Sequence, residues 1–117
     1  MRRGEVRVID LDSARGSEAS KRRPAVIVSN DGANSTAERL GRGVLTVVPV
    51  TSRMERGHPF QVAVLIPASR TGLGQDSKAQ AEQVGAAVVE RIGGLVGELP
   101  TNLLAALDEA LRLHLAL

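Results

Sequence analysis

A charged, glycine-containing stretch that runs without a break into a short apolar one constrains this chain most. Gly16-Ser17-Glu18-Ala19-Ser20 leads into the consecutive basic residues Lys21, Arg22 and Arg23, and then past Pro24 into Ala25-Val26-Ile27-Val28. The apolar run is short and is closed by Asn30-Asp31-Gly32. A run of that length between turn signals predicts a buried strand. A polar loop therefore feeds straight into the core, with Arg23 at the joint. A side chain at such a joint is held by the scaffold and still reaches solvent, which is how sites are commonly built.

The other apolar runs have the same short form. Glu5 to Leu11 alternates loosely and predicts a first strand with one buried face, followed by a loop from Asp12 to Arg22. Pro24 to Ser29 is the second strand, since Pro is tolerated as a strand's first residue. Gly43 to Thr51 is a third strand, apolar enough to be central, and Pro49 within it predicts a bulge or an end of pairing just before Thr51. Phe60 to Ile66, Ser77 to Val84 and Leu95 to Gly97 are three further strands. Thr36 to Leu40 suits a short helical turn, and Ala86 to Arg91 a short helix. From Pro100 onward the pattern becomes helical. Leu103, Leu107, Leu111 and Leu115 recur every four residues, and Leu104 and Ala110 widen the stripe. Leu113 and Leu117 lie off that stripe and offer a second apolar face, for a partner subunit or a groove on the same chain. Short strands followed by a terminal helix predict a mainly β (α+β) fold: a small, strongly curved sheet or barrel with helices attached.

With 117 residues the expectation is one domain covering residues 1–117, able to bury an ordinary core without staples. Cysteine is absent, which excludes disulfides and thiolate metal sites. Met1-Arg2-Arg3 is followed by Gly4-Glu5 rather than by an apolar run, and no apolar stretch is long enough to span a bilayer. A cytoplasmic protein with no membrane partner is expected. The net charge of +2 is unevenly spread: residues 1–56 hold 11 Lys/Arg against 7 Asp/Glu, and residues 57–117 hold 4 against 6. The basic half points to an anionic partner, of which nucleic acid is the common case. Phe60 is the only aromatic residue. A single-stranded nucleic acid would be gripped here by Arg planes, hydrogen bonds and phosphate contacts rather than by aromatic stacking.

Familiar catalytic signatures are missing. The glycines at Gly72 and Gly74 lack the following Lys-Ser/Thr of a phosphate loop. His58 reads as a solvated loop residue and His114 as a partly buried packing residue. No cluster offers the convergent ligands that a metal needs, so chemistry without a metal or other cofactor is expected. Arg23, Thr51 and Ser52 each have a plain structural role open to them. Arg23 could form a salt bridge with Glu18 or Asp31, Thr51 could end a strand, and Ser52 could start a turn.

The order of short motifs resembles the MazF/PemK family, toxins of toxin–antitoxin systems that act as ribosome-independent endoribonucleases. The likeness runs from Arg3-Gly4-Glu5 and Asp10-Leu11-Asp12 through Gly16-Ser17-Glu18, Arg23-Pro24-Ala25-Val26 and Ser29-Asn30. It continues in Val48-Pro49-Val50-Thr51-Ser52, Pro59-Phe60-Gln61-Val62, Gly72-Leu73 with Asp76-Ser77, Gln80-Ala81-Glu82-Gln83 and Leu107-Asp108-Glu109-Ala110-Leu111. Each motif alone is weak; their order and spacing over nearly the whole chain are specific.

The resemblance implies an SH3-like β-barrel with a C-terminal helix, working as a homodimer. It also implies sequence-specific, metal-independent cleavage of single-stranded RNA, and inhibition by an antitoxin that lays a disordered acidic C-terminal segment over the RNA groove. It assigns the catalytic positions to Arg23 and Thr51, with Glu18 often placed beside them. Gly16, Ser17, Lys21, Arg22, Ser52, Arg53 and Arg56 would then contact RNA. These residue types suit attack by the RNA 2′-hydroxyl on the adjacent phosphodiester. A guanidinium fork grips two phosphate oxygens, and a rigid hydroxyl supplies one more donor. Glu18, ionised at neutral pH, is a base or an orienter of Arg23, whose own pKa is too high for base work. Val8 stands where many relatives have an aromatic, and Ala19-Ser20-Lys21 where many have Gln-x-Gly. These departures bear on target sequence rather than on reaction type. The competing expectation is a non-catalytic small barrel that grips a nucleic acid or an acidic peptide with the same basic loops.

Overall fold

The computed structural model describes residues 1–10, 22–54 and 62–117. Its elements are β1 (Glu5–Asp10), β2 (Arg22–Ile27), α1 (Asp31–Leu40), β3 (Val44–Thr51), β4 (Ala63–Ile66), α2 (Ala68–Thr71), β5 (Ser77–Gln80), β6 (Gly85–Val88), β7 (Ile92–Glu98) and α3 (Thr101–Leu115). Short 3₁₀ turns at Ala81–Gln83 and Val89–Arg91 flank β6. Among the described residues the strands form one antiparallel sheet in the order β4-β5-β3-β2-β1-β7, with β6 also paired to β3. The expected class, a small barrel-like β fold with a C-terminal helix, is the one that forms. The described pairings leave β4 and β7 unjoined, so the sheet is barrel-like without being closed by a complete ladder. No helix of the described residues is long and apolar enough to cross a membrane.

The unbroken apolar character of β2 follows from its place between two cores. Val26 packs with Val6, Val48, Val50, Ile66 and Leu107. Its neighbours Ala25 and Ile27 point the other way, toward Ile9, Leu45, Val47 and Ala37 of α1. Side chains alternate across a strand, so a strand buried on both faces reads as a continuous apolar run.

The same reasoning explains β3, which is central as expected. It pairs with β2 through Ala25↔Pro49, Val26↔Val48 and Ile27↔Val47. Its other edge meets β6 over Val44–Val47 and then β5 at Val50 and Thr51. Pro49 lies where that edge changes partner, and Pro has no N–H to give to a ladder. The expected end of pairing holds toward β6, whose last partner on β3 is Val47, while the strand itself goes on without a register shift to pair with β5 at Val50 and Thr51.

Other boundaries differ for identifiable reasons. β2 starts at Arg22 rather than Pro24 and ends at Ile27 rather than Ser29. Asn30-Asp31-Gly32 does end the strand, but as the start of a helix. The Asn30 side chain accepts the Ala33 N–H at 2.8 Å, which is an N-cap, and α1 then fills the segment expected to hold a single turn. The segment read as a helix at Ala86–Arg91 is instead strand β6 and a 3₁₀ turn, because its backbone is claimed by the free edge of β3. β5 is cut short at Gln80, and β7 is longer than the Leu95–Gly97 expected.

α3 docks by Leu107, which is fully buried, with Leu103, Leu104, Ala110 and Leu111 beside it. The stripe fails at its end: Leu115 is 48% exposed, and so are Leu113 and Leu117 to a greater degree. His114 is exposed, not the packing residue expected. Pro100 is the helix's N-cap rather than its first helical residue. Arg3 fastens the helix to the sheet, donating to Asp108 Oδ1 at 2.5 Å and to the Val28 carbonyl at 2.9 Å.

Candidate active site

The β2–β3 register predicts what the end of the sheet brings together. Ala25 pairs with Pro49, so the same register carried two residues further sets Arg23 across from Thr51. At that end lies a cleft of about 340 Å³ lined by Arg23, Pro24, Val50, Thr51, Ser52, Arg53, Leu73, Gly74, Gln75 and Ser77. Of the residues picked out from sequence, Arg23, Thr51, Ser52 and Arg53 thus share one cleft. Arg22 does not line it. Neighbours on a strand point to opposite faces, so the two adjacent arginines cannot both face the same groove. Arg22 stands across from Asp10 on β1. Gly16, Ser17, Glu18, Lys21 and Arg56 lie outside the described residues, as does His58.

Local chemistry orients the lining. Thr51 is half-buried at the end of β3, and its Oγ1 accepts the Arg53 N–H at 3.1 Å. A hydroxyl that accepts one bond keeps its hydrogen to donate. Thr51 therefore both ends the strand and presents a fixed donor, so its structural and chemical roles coexist. Arg23 is exposed and does not pair with Asp31, whose Oδ1 accepts the Arg3 backbone N–H at 2.7 Å. Two cations and two hydroxyls thus line one cleft. Among the described lining residues there is no carboxylate or imidazole to accept a proton.

Sequence reasoning missed the rest of the lining. Leu73, Gly74 and Gln75 come from the turn between α2 and β5, and Ser77 opens β5. Gly72-Leu73 and Asp76-Ser77 belong to the motif series, but spacing alone does not show that the turn folds over the Arg23–Thr51 end. Tertiary contacts put it there. Gly72 has φ +82° and sits so close to β7 that a Cβ would lie 2.6 Å from the Val96 carbonyl oxygen. A Cβ on Gly97 would lie 1.8 Å from the Thr71 carbonyl oxygen. Only two glycines let these backbones touch.

Ser29-Asn30, another pair in the motif series, turns out to be structural. Ser29 Oγ donates to Asn34 Oδ1 at 2.6 Å and accepts the Thr46 N–H at 3.0 Å. Asn34 Nδ2 donates to the Ser29 carbonyl at 2.9 Å, and Asn34 is fully buried. The network joins β2, α1 and β3 and so holds the strands that carry Arg23 and Thr51.

A curved antiparallel sheet with a guanidinium-and-hydroxyl cleft at the end of two neighbouring strands defines a small β protein suited to an anionic, phosphate-bearing ligand. Comparison with known families makes this specific: residues 2–115 match the PemK-like, MazF-like toxin of type II toxin–antitoxin systems, and the chain belongs to that family. Endoribonuclease MazF9 of Mycobacterium tuberculosis is 59% identical over the whole chain and 98% of its own length. Endoribonuclease EndoA of Bacillus subtilis is 28% identical over the whole chain and 96% of its own. Among solved structures, a MazE–MazF crystal structure from Deinococcus radiodurans superposes with a TM-score of 0.74 at 25% identity, covering the whole chain and 97% of its own.

Proposed function

We propose that this chain is the toxin of a type II toxin–antitoxin pair and acts as an endoribonuclease on single-stranded RNA. The observation that carries this reading is the cleft in which Arg23, Arg53, Thr51 and Ser52 converge. Arg23 grips the non-bridging oxygens of the scissile phosphate and stabilises the charge that builds up as the 2′-hydroxyl attacks. Thr51 donates to the same phosphate or to the leaving oxygen. Arg53 and Ser52 hold the flanking backbone, and Arg22, Lys21 and Arg56 add to the positive field around the groove. The attacking oxygen is the RNA's own, so the reaction needs only charge stabilisation and two proton transfers. It proceeds without a metal ion and leaves a 2′,3′-cyclic phosphate and a 5′-hydroxyl. Glu18 is the base or the orienter of Arg23.

The chain works in the cytoplasm as a single domain and as a homodimer, with the exposed Leu113, Leu115 and Leu117 of α3 among the surfaces open to a partner. The name of the Deinococcus radiodurans MazE–MazF structure supports a cognate antitoxin, whose acidic, disordered C-terminal segment would compete with RNA for the basic cleft.

The test is to incubate the purified protein with a long single-stranded RNA in EDTA and to map the new ends. Discrete cuts leaving 5′-hydroxyl termini are expected. RNA that is bound at low salt but stays intact would overturn the nuclease reading in favour of a binding module. Cutting that returns only when Mg²⁺ is added would overturn the metal-free mechanism.

A further inference from the structure

The cleft lining differs in kind along the chain. Arg23, Thr51, Ser52 and Arg53, at the ends of β2 and β3, bring charge and hydroxyls. Leu73, Gly74 and Gln75, from the turn between α2 and β5, bring no charge. A phosphodiester backbone is matched best by the guanidinium groups. What an RNA strand turns toward the side opposite its phosphates is a base.

Gln75 is the side chain of that turn equipped to read one. It is exposed, and its amide carries donors and an acceptor side by side, which matches a base edge that presents one of each. Ser77 is buried and spends its hydroxyl on the Gln75 carbonyl at 3.0 Å. Leu73 is half-buried against the core and offers an apolar surface for a base face. Among the described lining residues there is no aromatic side chain, so the amide of Gln75 is the discriminating group they offer.

The platform under Gln75 is rigid, as a reading device must be. The Ser77 hydroxyl ties down the Gln75 backbone, and the Asp76 carboxylate accepts the Ala68 N–H at 2.8 Å. The Gly72–Val96 and Gly97–Thr71 backbone contacts clamp the other end of the turn to β7.

We infer that Gln75 is a specificity-determining residue: its amide pairs with the edge of an RNA base next to the scissile phosphate, while the guanidinium and hydroxyl groups of the same cleft hold the phosphate. The inference rests on the nuclease reading above. Single-stranded RNA is read in this way, by hydrogen bonds to the edges of unpaired bases. A two-bond amide–base pair is strong enough to set a preference of about ten-fold or more at one position.

The experiment compares the wild type with Gln75→Met, which keeps the reach but removes the amide, and Gln75→Glu, which keeps the acceptors but removes the donors. Each is incubated with the same long RNA of mixed sequence, and the cut sites are aligned. The expected result is a changed base preference at a single position beside the cut. Gln75→Met should relax it by about ten-fold or more, and Gln75→Glu should move it toward bases that present a donor. If both variants cut the wild-type sequence set, at whatever overall rate, Gln75 does not read a base and the inference is overturned. If the wild type itself cuts nothing, the nuclease reading fails and takes this inference with it. Gln75 is exposed and is tied to the fold through its backbone carbonyl, so neither substitution removes that tie.

Discussion

Arg23 and Thr51 differ in what a substitution removes. Arg23→Ala takes away the guanidinium fork, and Thr51→Ala takes away a single oriented donor. Losing one preorganised donor to a developing oxyanion typically costs about 100- to 1000-fold in rate. Each variant is expected to lose at least that much cutting, measured on a labelled RNA containing one mapped site, while its far-ultraviolet circular dichroism stays that of the wild type. Arg23→Lys is the sharper probe. It keeps the charge but not the planar two-pronged geometry, so RNA binding at low salt should survive while cutting does not. Full activity in both alanine variants would remove these residues from the site. The residue scale also shows where motif reading stops. Ser29-Asn30 and Arg23-Pro24 belong to the same block of sequence, yet the first pair ties and caps local structure and the second lines the cleft.

At the scale of elements, α1 and the strands beside it are joined by a buried polar network rather than by apolar contact alone. Asn34 bridges to Ser29, and Ser29 to the Thr46 N–H. Asn34→Ala would strip the Ser29 groups of their partner within the core. A buried polar group left unsatisfied costs about 1–3 kcal/mol, so a fall of that size in unfolding free energy is expected by urea titration. A loss of a few tenths would show that water or rearrangement replaces the bonds. The turn carrying Gln75 is likewise set by its neighbours, since α2 and β7 approach only because Gly72 and Gly97 lack side chains.

For the molecule as a whole, stability should depend on pH through Glu5, which sits buried where β1 meets β7. Burial opposes its ionisation. The Arg7 guanidinium, 2.8 Å away, the Arg2 backbone, and the charges of Arg7 and the N-terminus outweigh that and hold its pKa below the ordinary 4.5. A carboxyl whose pKa is lower in the folded state binds its proton more tightly when unfolded. Its contribution is therefore complete above pH 4.5 and disappears as pH falls through the folded-state value. Urea midpoints measured from pH 7 down to about pH 3 should fall more steeply for the wild type than for Glu5→Gln. Parallel curves would remove Glu5 from the acid response. Arg7 also reaches the Gly93 carbonyl at 3.0 Å, so the same cluster ties the first strand to the last.

What the sequence determined by itself was local in origin. Short apolar runs between turn residues specified β1, β2 and β3, because a buried strand needs nothing more than its own pattern to be recognised. The four-residue leucine spacing specified α3, and the ordered motifs specified the family and singled out Arg23 and Thr51, which the fold brings to one cleft and which are proposed as its reactive pair. What only the tertiary structure decided depended on partners distant in the chain. Ala86–Val88 became a strand because β3 offered an unpaired edge, and Pro49 was tolerated because that edge changes partner there. Leu115 and His114 were left exposed because the core beneath α3 ends before them. The uncharged part of the cleft lining came from a turn placed by the close backbone approach of Gly72 and Gly97, which no periodicity encodes. Propensity and pattern act over a few residues, whereas edge pairing and close backbone approach are settled by elements that meet only when the chain has folded.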